Sequence, residues 1–315
     1  MSMRAAIRSR RGIVFDGAAP LPRAPRKGEV AVKVQAASAN PVDYKLPSFI
    51  AGKVSGTDFA GEVTAVGKSV TGLSVGDQVF GFCSGSHAEH AVTKASVVAK
   101  RPSWLRPPVA ATLGVAYLTG LQGLRDKCEL RKGGSVLVIG ASGGCGVAAC
   151  QLARAMGASE VVGVCSKANA GLATRAGATR VVDYKTTALA EACEAGSFDV
   201  IYDAATGSGG GEAYTKQAMP LLKPNGQYCQ LNGSAGTWIR GLTGLLPKGQ
   251  HLFLTKAATS DLEALLEYMK PPTSSDETPR FVPELTELPL SEEGVDEAFA
   301  TLKSRRAKGK LVFVM

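Results

Sequence analysis

The sequence predicts an α/β protein of two domains, an irregular β-rich domain followed by a doubly wound, mostly parallel sheet. Three observations carry this. Short β-rich segments separated by Gly, Pro and Asp fill the first third of the chain. From Ser135 onward, continuous apolar strands alternate with segments of helical period, the pattern of a sheet covered on both faces. The 315 residues, 45% of them apolar, can bury a large core and divide into two domains of ordinary size.

In order, the β-rich segments are Met3–Ile7, Glu29–Ala36, Gly61–Val66 and Asp77–Gly81. Pro102, Pro107 and Pro108 break the chain, and a helical period through Leu113, Tyr117 and Leu121 sets a domain boundary near Val109. Strand Ser135–Ile139, a Gly-rich turn, a helix over Val147–Met156 and strand Val161–Cys165 open the second domain. Strands Arg180–Asp183, Val200–Asp203, Gln227–Leu231 and His251–Thr255 continue it, with a flexible Gly-rich tract from Gly207 to Gly211. A helix over Asp261–Met269, a loop over Pro271–Ser275 and a strand over Arg280–Leu288 follow. A helix over Ser291–Arg305 opens on a serine cap backed by acidic residues, and Leu311–Met315 closes as a strand.

Composition narrows the function. No stretch approaches the roughly 18 apolar residues of a spanning helix, and the basic first residues lack an apolar signal core, so an intracellular rather than secreted protein is expected. The seven cysteines are scattered without a C-x-x-C pair, as expected of reduced, small apolar residues. The net charge of +9 accompanies no nucleic-acid motif, so no nucleic-acid partner is expected.

The strongest motif runs Ser135-Val-Leu-Val-Ile-Gly-Ala-Ser-Gly-Gly-Cys-Gly146. A strand, a Gly-rich turn and a helix start together make an anion site, because the first backbone N–H groups of a helix lack internal acceptors. In G-x-G-x-x-G terms the positions are Ala141, Gly143 and Gly146, so the first glycine is replaced. At the end of the next strand, where an NAD enzyme places Asp or Glu, the chain reads Ser166-Lys167. A hydroxyl and an ammonium suit a 2′-phosphate, which points to NADPH.

Asn40-Pro-Val-Asp-Tyr-Lys45, Gly56-Thr-Asp-Phe-Ala-Gly-Glu-Val63, Gly76-Asp-Gln-Val-Phe-Gly81, the Gly-rich turn and Gly177-Ala-Thr-Arg-Val-Val-Asp-Tyr184 together resemble the zinc-independent, quinone oxidoreductase-like branch of the medium-chain dehydrogenase/reductase superfamily. Within it, the chain is most similar to chloroplast-envelope quinone oxidoreductase homologues. The resemblance implies a GroES-like substrate domain over 1–108, a Rossmann NADPH-binding domain over 109–265, and a segment 266–315 that returns to the first. It implies Gly143, Gly144 and Gly146 at the pyrophosphate, with Ser142 and Cys145 also among the cofactor-binding residues, Ser166 and Lys167 at the 2′-phosphate, and Tyr184 beside the adenosine ribose phosphate. Thr119 would lie near the nicotinamide ribose, and Ala204, Leu231 and Gly233 would border the nicotinamide ring.

Zinc-dependent relatives carry Cys near Asn40 and Gly-His-Glu where this chain has Gly56-Thr57-Asp58, so no metal is expected. A trio of Cys83, His87 and His90 has metal-like spacing but falls where the family has an aromatic-rich turn and strand. Without zinc, the economical chemistry is hydride delivery to a quinone or to the C=C bond of an α,β-unsaturated carbonyl, with Asn40, Tyr44 and Lys45 as the polar groups that orient the carbonyl or supply a proton. Leu46–Val54 is shorter than the family's usual loop, which predicts a more open substrate cleft and leaves a cofactor-binding structural subunit as the alternative. Trp238–Lys248 mixes apolar and basic residues, a pattern shared by core packing, a homodimer face and a peripheral membrane contact. The resemblance adds the chloroplast to the cytoplasm and other organelles as a compartment.

Overall fold

The computed structural model describes residues 2–46, 48–207, 214–271 and 279–315. The Gly-rich tract beyond Gly207 and the loop expected beyond Pro271 lie outside these residues. The chain forms two compact units, Met1–Leu118 with Lys256–Met315, and Thr119–Thr255. The changeovers, at 118/119 and 255/256, each stand ten residues from the expected boundaries at 108/109 and 265/266. The cause at the first is that the helical run entered at Pro107 continues through Leu113–Tyr117 with Asp58 bonded to Val115, which keeps this stretch with the β-rich unit.

The first unit opens with β1 (Ser2–Ser9), β2 (Gly12–Pro20), β3 (Glu29–Ala39), β4 (Asp58–Val66), β5 (Gln78–Phe82), β6 (His90–Lys94) and β7 (Val98–Lys100). β2, β6 and β7 were not foreseen. Each is short or flanked by Gly and charged residues, so alternation has little room to show. The second unit contains β8 (Ser135–Ile139), β9 (Glu160–Cys165), β10 (Arg180–Asp183), β11 (Phe198–Asp203), β12 (Leu222–Gln230) and β13 (Gln250–His251). β14 (Leu285–Pro289) and β15 (Lys310–Val314) belong to the first unit again.

In the first unit β1 and β2 form a hairpin, and a seven-stranded sheet runs β14-β15-β3-β4-β5-β7 with β6 paired to β3. β15 lies antiparallel to β3, Leu311 opposite Ala39. Phe59, Phe80 and Phe313 are fully buried; side chains of this size contribute about 1.5–3 kcal/mol each on leaving water. The strand expected from Arg280 begins only at Leu285, since Pro283 removes a ladder donor and breaks the run. The helix Glu292–Ser304 has the expected cap, with Ser291 Oγ accepting from Gly294 N at 3.2 Å.

The second unit is a six-stranded parallel sheet in the order β10-β9-β8-β11-β12-β13. Every residue of β8 is buried, as a strand covered on both faces requires. The order reverses between β8 and β11, and in such sheets the crevice beyond the strand ends at this reversal is where ligands bind. The strand expected over His251–Thr255 is reduced to two residues. Tyr228 and Cys229 of β12 pair with Gln250 and His251, and β12 ends one residue later, so Leu252 onward has no ladder partner. No helix among the described residues is long and apolar enough to cross a membrane.

Candidate functional site

In the second unit the Gly-rich turn is built tightly onto β8 and β9. The amides of Gly140 and Ala141 both reach the Val164 carbonyl at 3.0 Å, and Gly143 N donates to Gly140 O at 3.1 Å. The helix Gly144–Ala155 starts within the glycines, three residues before the expected position, and Gly143 caps it without a side chain. A Cβ on Gly146 would overlap the Gly140 carbonyl oxygen and lie 2.7 Å from its carbon and 2.8 Å from Ala141 Cα. A side chain here would push helix and strand apart. On Gly143 a Cβ would meet only the Gly140 oxygen, at 3.6 Å, so the space above the turn is open. Cys145 is half-buried and Ser142 Oγ accepts from Asn169 Nδ2 at 3.2 Å.

The other expected cofactor residues collect at the carboxyl ends of neighbouring strands. Ser166 and Lys167 follow β9, with Lys167 exposed, and Tyr184 follows β10 at 48% exposure. Neither Ser166 Oγ nor Lys167 Nζ is bonded to another described side chain. Beyond β11, buried Asp203 fixes the turn through Ala204: Oδ1 accepts from the amides of Ala205 (2.9 Å) and Thr206 (2.8 Å), while Oδ2 accepts from the Thr206 and Tyr228 hydroxyls. Ala204 N bonds to Ile139 O and Leu231 N to Asp203 O, both at 3.0 Å, so these turns are tied to the ends of β8 and β11. Gly233 packs against Thr237, and the Thr119 hydroxyl bonds that of Thr255 within this unit.

In the first unit a buried polar network surrounds Asn40, which is 2% exposed. Its Nδ2 donates to Asp58 Oδ2 at 2.8 Å and to the Ser38 carbonyl at 3.3 Å, and its Oδ1 accepts from Lys310 Nζ. Both amide hydrogens are therefore engaged. Asp58 also accepts from Ser38 Oγ (2.7 Å) and from Val115 N (2.9 Å), and its Oδ2 lies 4.0 Å from the Lys310 ammonium. Asp43 accepts from the Asn40 amide at 2.7 Å and from the Thr57 hydroxyl, which fixes the short helix Pro41–Lys45. Burial raises the carboxyl pKa of both aspartates, Asp43 to about 6.

Tyr44, on that helix, packs its ring edge-on against Phe299, and its hydroxyl makes no hydrogen bond to a described residue. Lys45 is exposed. In the loop beyond them a short helix, Ser48–Ala51, is held by Arg8, whose guanidinium donates to the carbonyls of Asp43, Ala51, Gly52 and Val54. Phe49 and Ile50 stand exposed there.

His87 is fully buried between Ser55 and Asp43. Its Nε2 faces the Ser38 carbonyl at 3.1 Å, an acceptor only, so Nε2 carries the proton and Nδ1 accepts from Ser55 Oγ at 2.9 Å. Burial pushes its pKa down to about 4, leaving a neutral ring. The Ser–His–Asp order is not a nucleophilic triad, because Ser55 is itself fully buried and has Ala6 O at 3.0 Å as a second neighbour. Cys83 instead approaches the carbonyls of Ser84 and Val92, and among the described residues no three His, Cys, Asp or Glu side chains cluster to hold a metal.

Sequence reasoning singled out Asn40 but missed Asp43, Asp58 and Lys310. One local signal was available: Asp three residues after Asn40, with Pro between, is a helix-start pattern. Lys310 had none.

Comparison with known proteins fits this architecture. An alcohol dehydrogenase GroES-like domain family matches residues 26–103 and a zinc-binding dehydrogenase family residues 176–313. The 2-methylene-furan-3-one reductase of Solanum lycopersicum is 32% identical over 305 residues, covering 91% of this chain and 72% of that protein. A chloroplast envelope quinone oxidoreductase homolog of Arabidopsis thaliana is 38% identical over 184 residues, 53% of this chain and 55% of its own length. The quinone oxidoreductase structure from Coxiella burnetii superposes with a TM-score of 0.81 at 26% identity, covering 99% of both chains. With its strand–glycine-turn–helix site and a relative matched over most of its length, the chain belongs to the medium-chain dehydrogenase/reductase superfamily, in its quinone oxidoreductase-like branch, an oxidoreductase family.

Proposed function

We propose that the protein is an NADPH-dependent reductase that delivers hydride, without zinc, to quinones or to the C=C bond of α,β-unsaturated carbonyls. The observation that carries this reading is the donor set beyond β8, β9 and β10: a glycine cradle too tight for a Cβ at Gly146, then Ser166 and Lys167 at the end of β9, the place where an NAD enzyme carries Asp or Glu. These residues fit a nicotinamide dinucleotide. Gly143, Gly144 and Gly146 would face the pyrophosphate together with Ser142 and Cys145, Ser166 and Lys167 the 2′-phosphate, and Tyr184 the adenosine ribose. Thr119, Ala204, Leu231 and Gly233 are assigned to the nicotinamide end. When bound, the cofactor supplies a hydride. The protein's own contribution is to position the acceptor and to offer a hydrogen bond or proton to the oxyanion that develops on its carbonyl.

Tyr44 is the donor proposed for that oxyanion, since its hydroxyl has no partner among the described residues. Asn40 has both amide hydrogens engaged and is assigned a positioning role, and exposed Lys45 remains a proton source. A catalytic zinc does not fit the residues at the corresponding place. Asn40 Oδ1 already accepts from Lys310, Thr57 is bonded to Asp43, Asp58 has three donors, and a buried ammonium would repel a divalent cation. The enone class is supported by the tomato relative, which is named for reduction of such a compound.

A second reading, a cofactor-binding structural subunit, draws support from Ile239, Leu242, Leu245 and Leu254, which are exposed on a segment that also carries Arg240 and Lys248, a surface suited to a homodimer or a peripheral membrane contact within a cytoplasmic or organellar setting. One assay separates the two. NADPH oxidation is followed at 340 nm with a panel of enones, enals and quinones, with and without a chelator. Chelator-resistant turnover is expected, whereas tight NADPH binding with no turnover across the panel would favour the structural subunit.

A further inference from the structure

We infer that Lys310 is a positioning residue for the Asn40–Tyr44 turn, acting as the buried counter-charge that holds Asn40 in one amide orientation and thereby fixes the helix carrying Tyr44. This deepens the reductase reading of the same site and rests on it. Lys310 is 5% exposed, and Gly309 places it: at φ +64 that residue turns the chain into β15 against the Glu284 carbonyl, with no room for a side chain. The adjoining pair Leu311 and Ala39 then sets Lys310 beside the end of β3. The ammonium donates to the Ala39 carbonyl at 3.2 Å and to Asn40 Oδ1.

Three features make this more than a satisfied buried lysine. An ammonium can only donate, so it selects the Asn40 rotamer with oxygen toward Lys310 and nitrogen toward Asp58. The flipped amide would face an NH₂ group to the ammonium and an oxygen to a carboxylate. Asp43 and Asp58 place two carboxyls in a buried site whose ionised forms need a cation nearby, and the Lys310 ammonium lies 4.0 Å from Asp58. Finally, Asn40 N is bonded to Asp43, the residue next to Tyr44. A displacement of Asn40 on losing the Lys310 contact therefore reaches Tyr44 through this backbone bond to Asp43. Since misplacing a reacting group by about 1 Å can cost 100-fold in rate, loss of this hold should be visible in turnover.

The test reads orientation and chemistry separately. With ¹⁵N-labelled asparagine, the Asn40 side-chain amide is assigned from its loss in Asn40→Asp, and its hydrogen exchange is compared in the unmodified protein, Lys310→Met and Lys310→Arg. Slow exchange is expected in the unmodified protein and in Lys310→Arg, and at least tenfold faster exchange in Lys310→Met. Turnover with an enone should fall roughly tenfold or more in Lys310→Met with NADPH affinity within twofold. In a Tyr44→Phe background the same substitution should cost less than twofold, because its effect passes through Tyr44. Lys310→Met/Asp58→Asn, which removes both charges, keeps the comparison available should Lys310→Met alone fail to fold. Unchanged Asn40 exchange in both Met variants, or an equal loss of turnover with and without the Tyr44 hydroxyl, would overturn the inference. If the unmodified protein turned over nothing, the reductase reading would fall, while the exchange comparison would still decide whether Lys310 orients Asn40.

Discussion

Replacing Gly146 and Gly143 by alanine, one at a time, separates the architecture of the glycine turn from its use as a binding surface. At Gly146 the new methyl would overlap the Gly140 oxygen, with Gly140 C at 2.7 Å and Ala141 Cα at 2.8 Å, and all three are backbone atoms that cannot rotate away. Reaching ordinary contact requires the helix Gly144–Ala155 to withdraw from β8 by on the order of 1 Å, and overpacking of this kind costs about 1–3 kcal/mol. For a unit of this size each kcal/mol shifts the unfolding midpoint by about 2–4 °C. At Gly143, whose φ of −84° suits alanine, the methyl has a single neighbour at 3.6 Å, and a stability change within about 0.5 kcal/mol is expected. Calorimetry without ligand should therefore show a lowered midpoint for Gly146→Ala and an unchanged one for Gly143→Ala. Fluorescence titration with NADPH should show both weakened, Gly143→Ala through direct obstruction of the phosphates. A Gly146→Ala protein with the unmodified midpoint and affinity would refute the close approach of helix and strand. Unchanged NADPH affinity in Gly143→Ala would refute the placement of the pyrophosphate.

Other outcomes follow from the same geometry. Lys167→Glu should weaken NADPH more than tenfold and leave NADH nearly unaffected, since the ammonium is assigned to the 2′-phosphate; equal affinity for both cofactors in the unmodified protein would falsify that assignment. Tyr44→Phe should lower enone turnover roughly tenfold at little change in NADPH affinity, less than the 100-fold typical of a dry oxyanion site because the residue is only part-buried. Stability against pH should show two opposed contributions. Burial raises Asp43 in the folded protein to about 6, so its contribution is present at low pH and lost as pH rises through 6, whereas burial depresses His87 to about 4, so its contribution is lost as pH falls from 6.5 through 4. Relative to the unmodified protein, Asp43→Asn should steepen the loss of thermal stability on acidification from pH 6 to 4, and His87→Gln should flatten or reverse it; thermal melts across this range decide.

The second unit was more legible in the sequence than the first because its signals are local. Ser135–Ile139 and Arg180–Asp183 stand where the apolar runs placed them, and the glycine turn, Ser166 and Lys167 follow consecutively from strand to helix. The buried network was illegible for the opposite reason. Lys310 and Asn40 are brought together across 270 positions by strand pairing, and a lysine near an apolar strand reads as a solvated charge. His87 was noticed for the wrong property, its spacing to Cys83 and His90, while its burial and its bond to Ser55 arise from tertiary packing. His251–Thr255 was overextended since periodicity records what a segment could pair with, not where its neighbour stops.

The discontinuity of the first unit also bears on how the molecule comes into being. Thr119–Thr255 is one uninterrupted stretch and can mature as soon as it is synthesised, but the strand that covers β3 opposite Ala36–Ala39 and delivers the cation beside Asp58 is made after it. Until β15 pairs with it, the edge of β3 at Ala36–Ala39 is open, and an open strand edge is prone to pairing with other chains. Closure of the β-rich unit thus waits on a strand made after the second unit, and chains lacking β15 should show their stickiness before any deficit in catalysis.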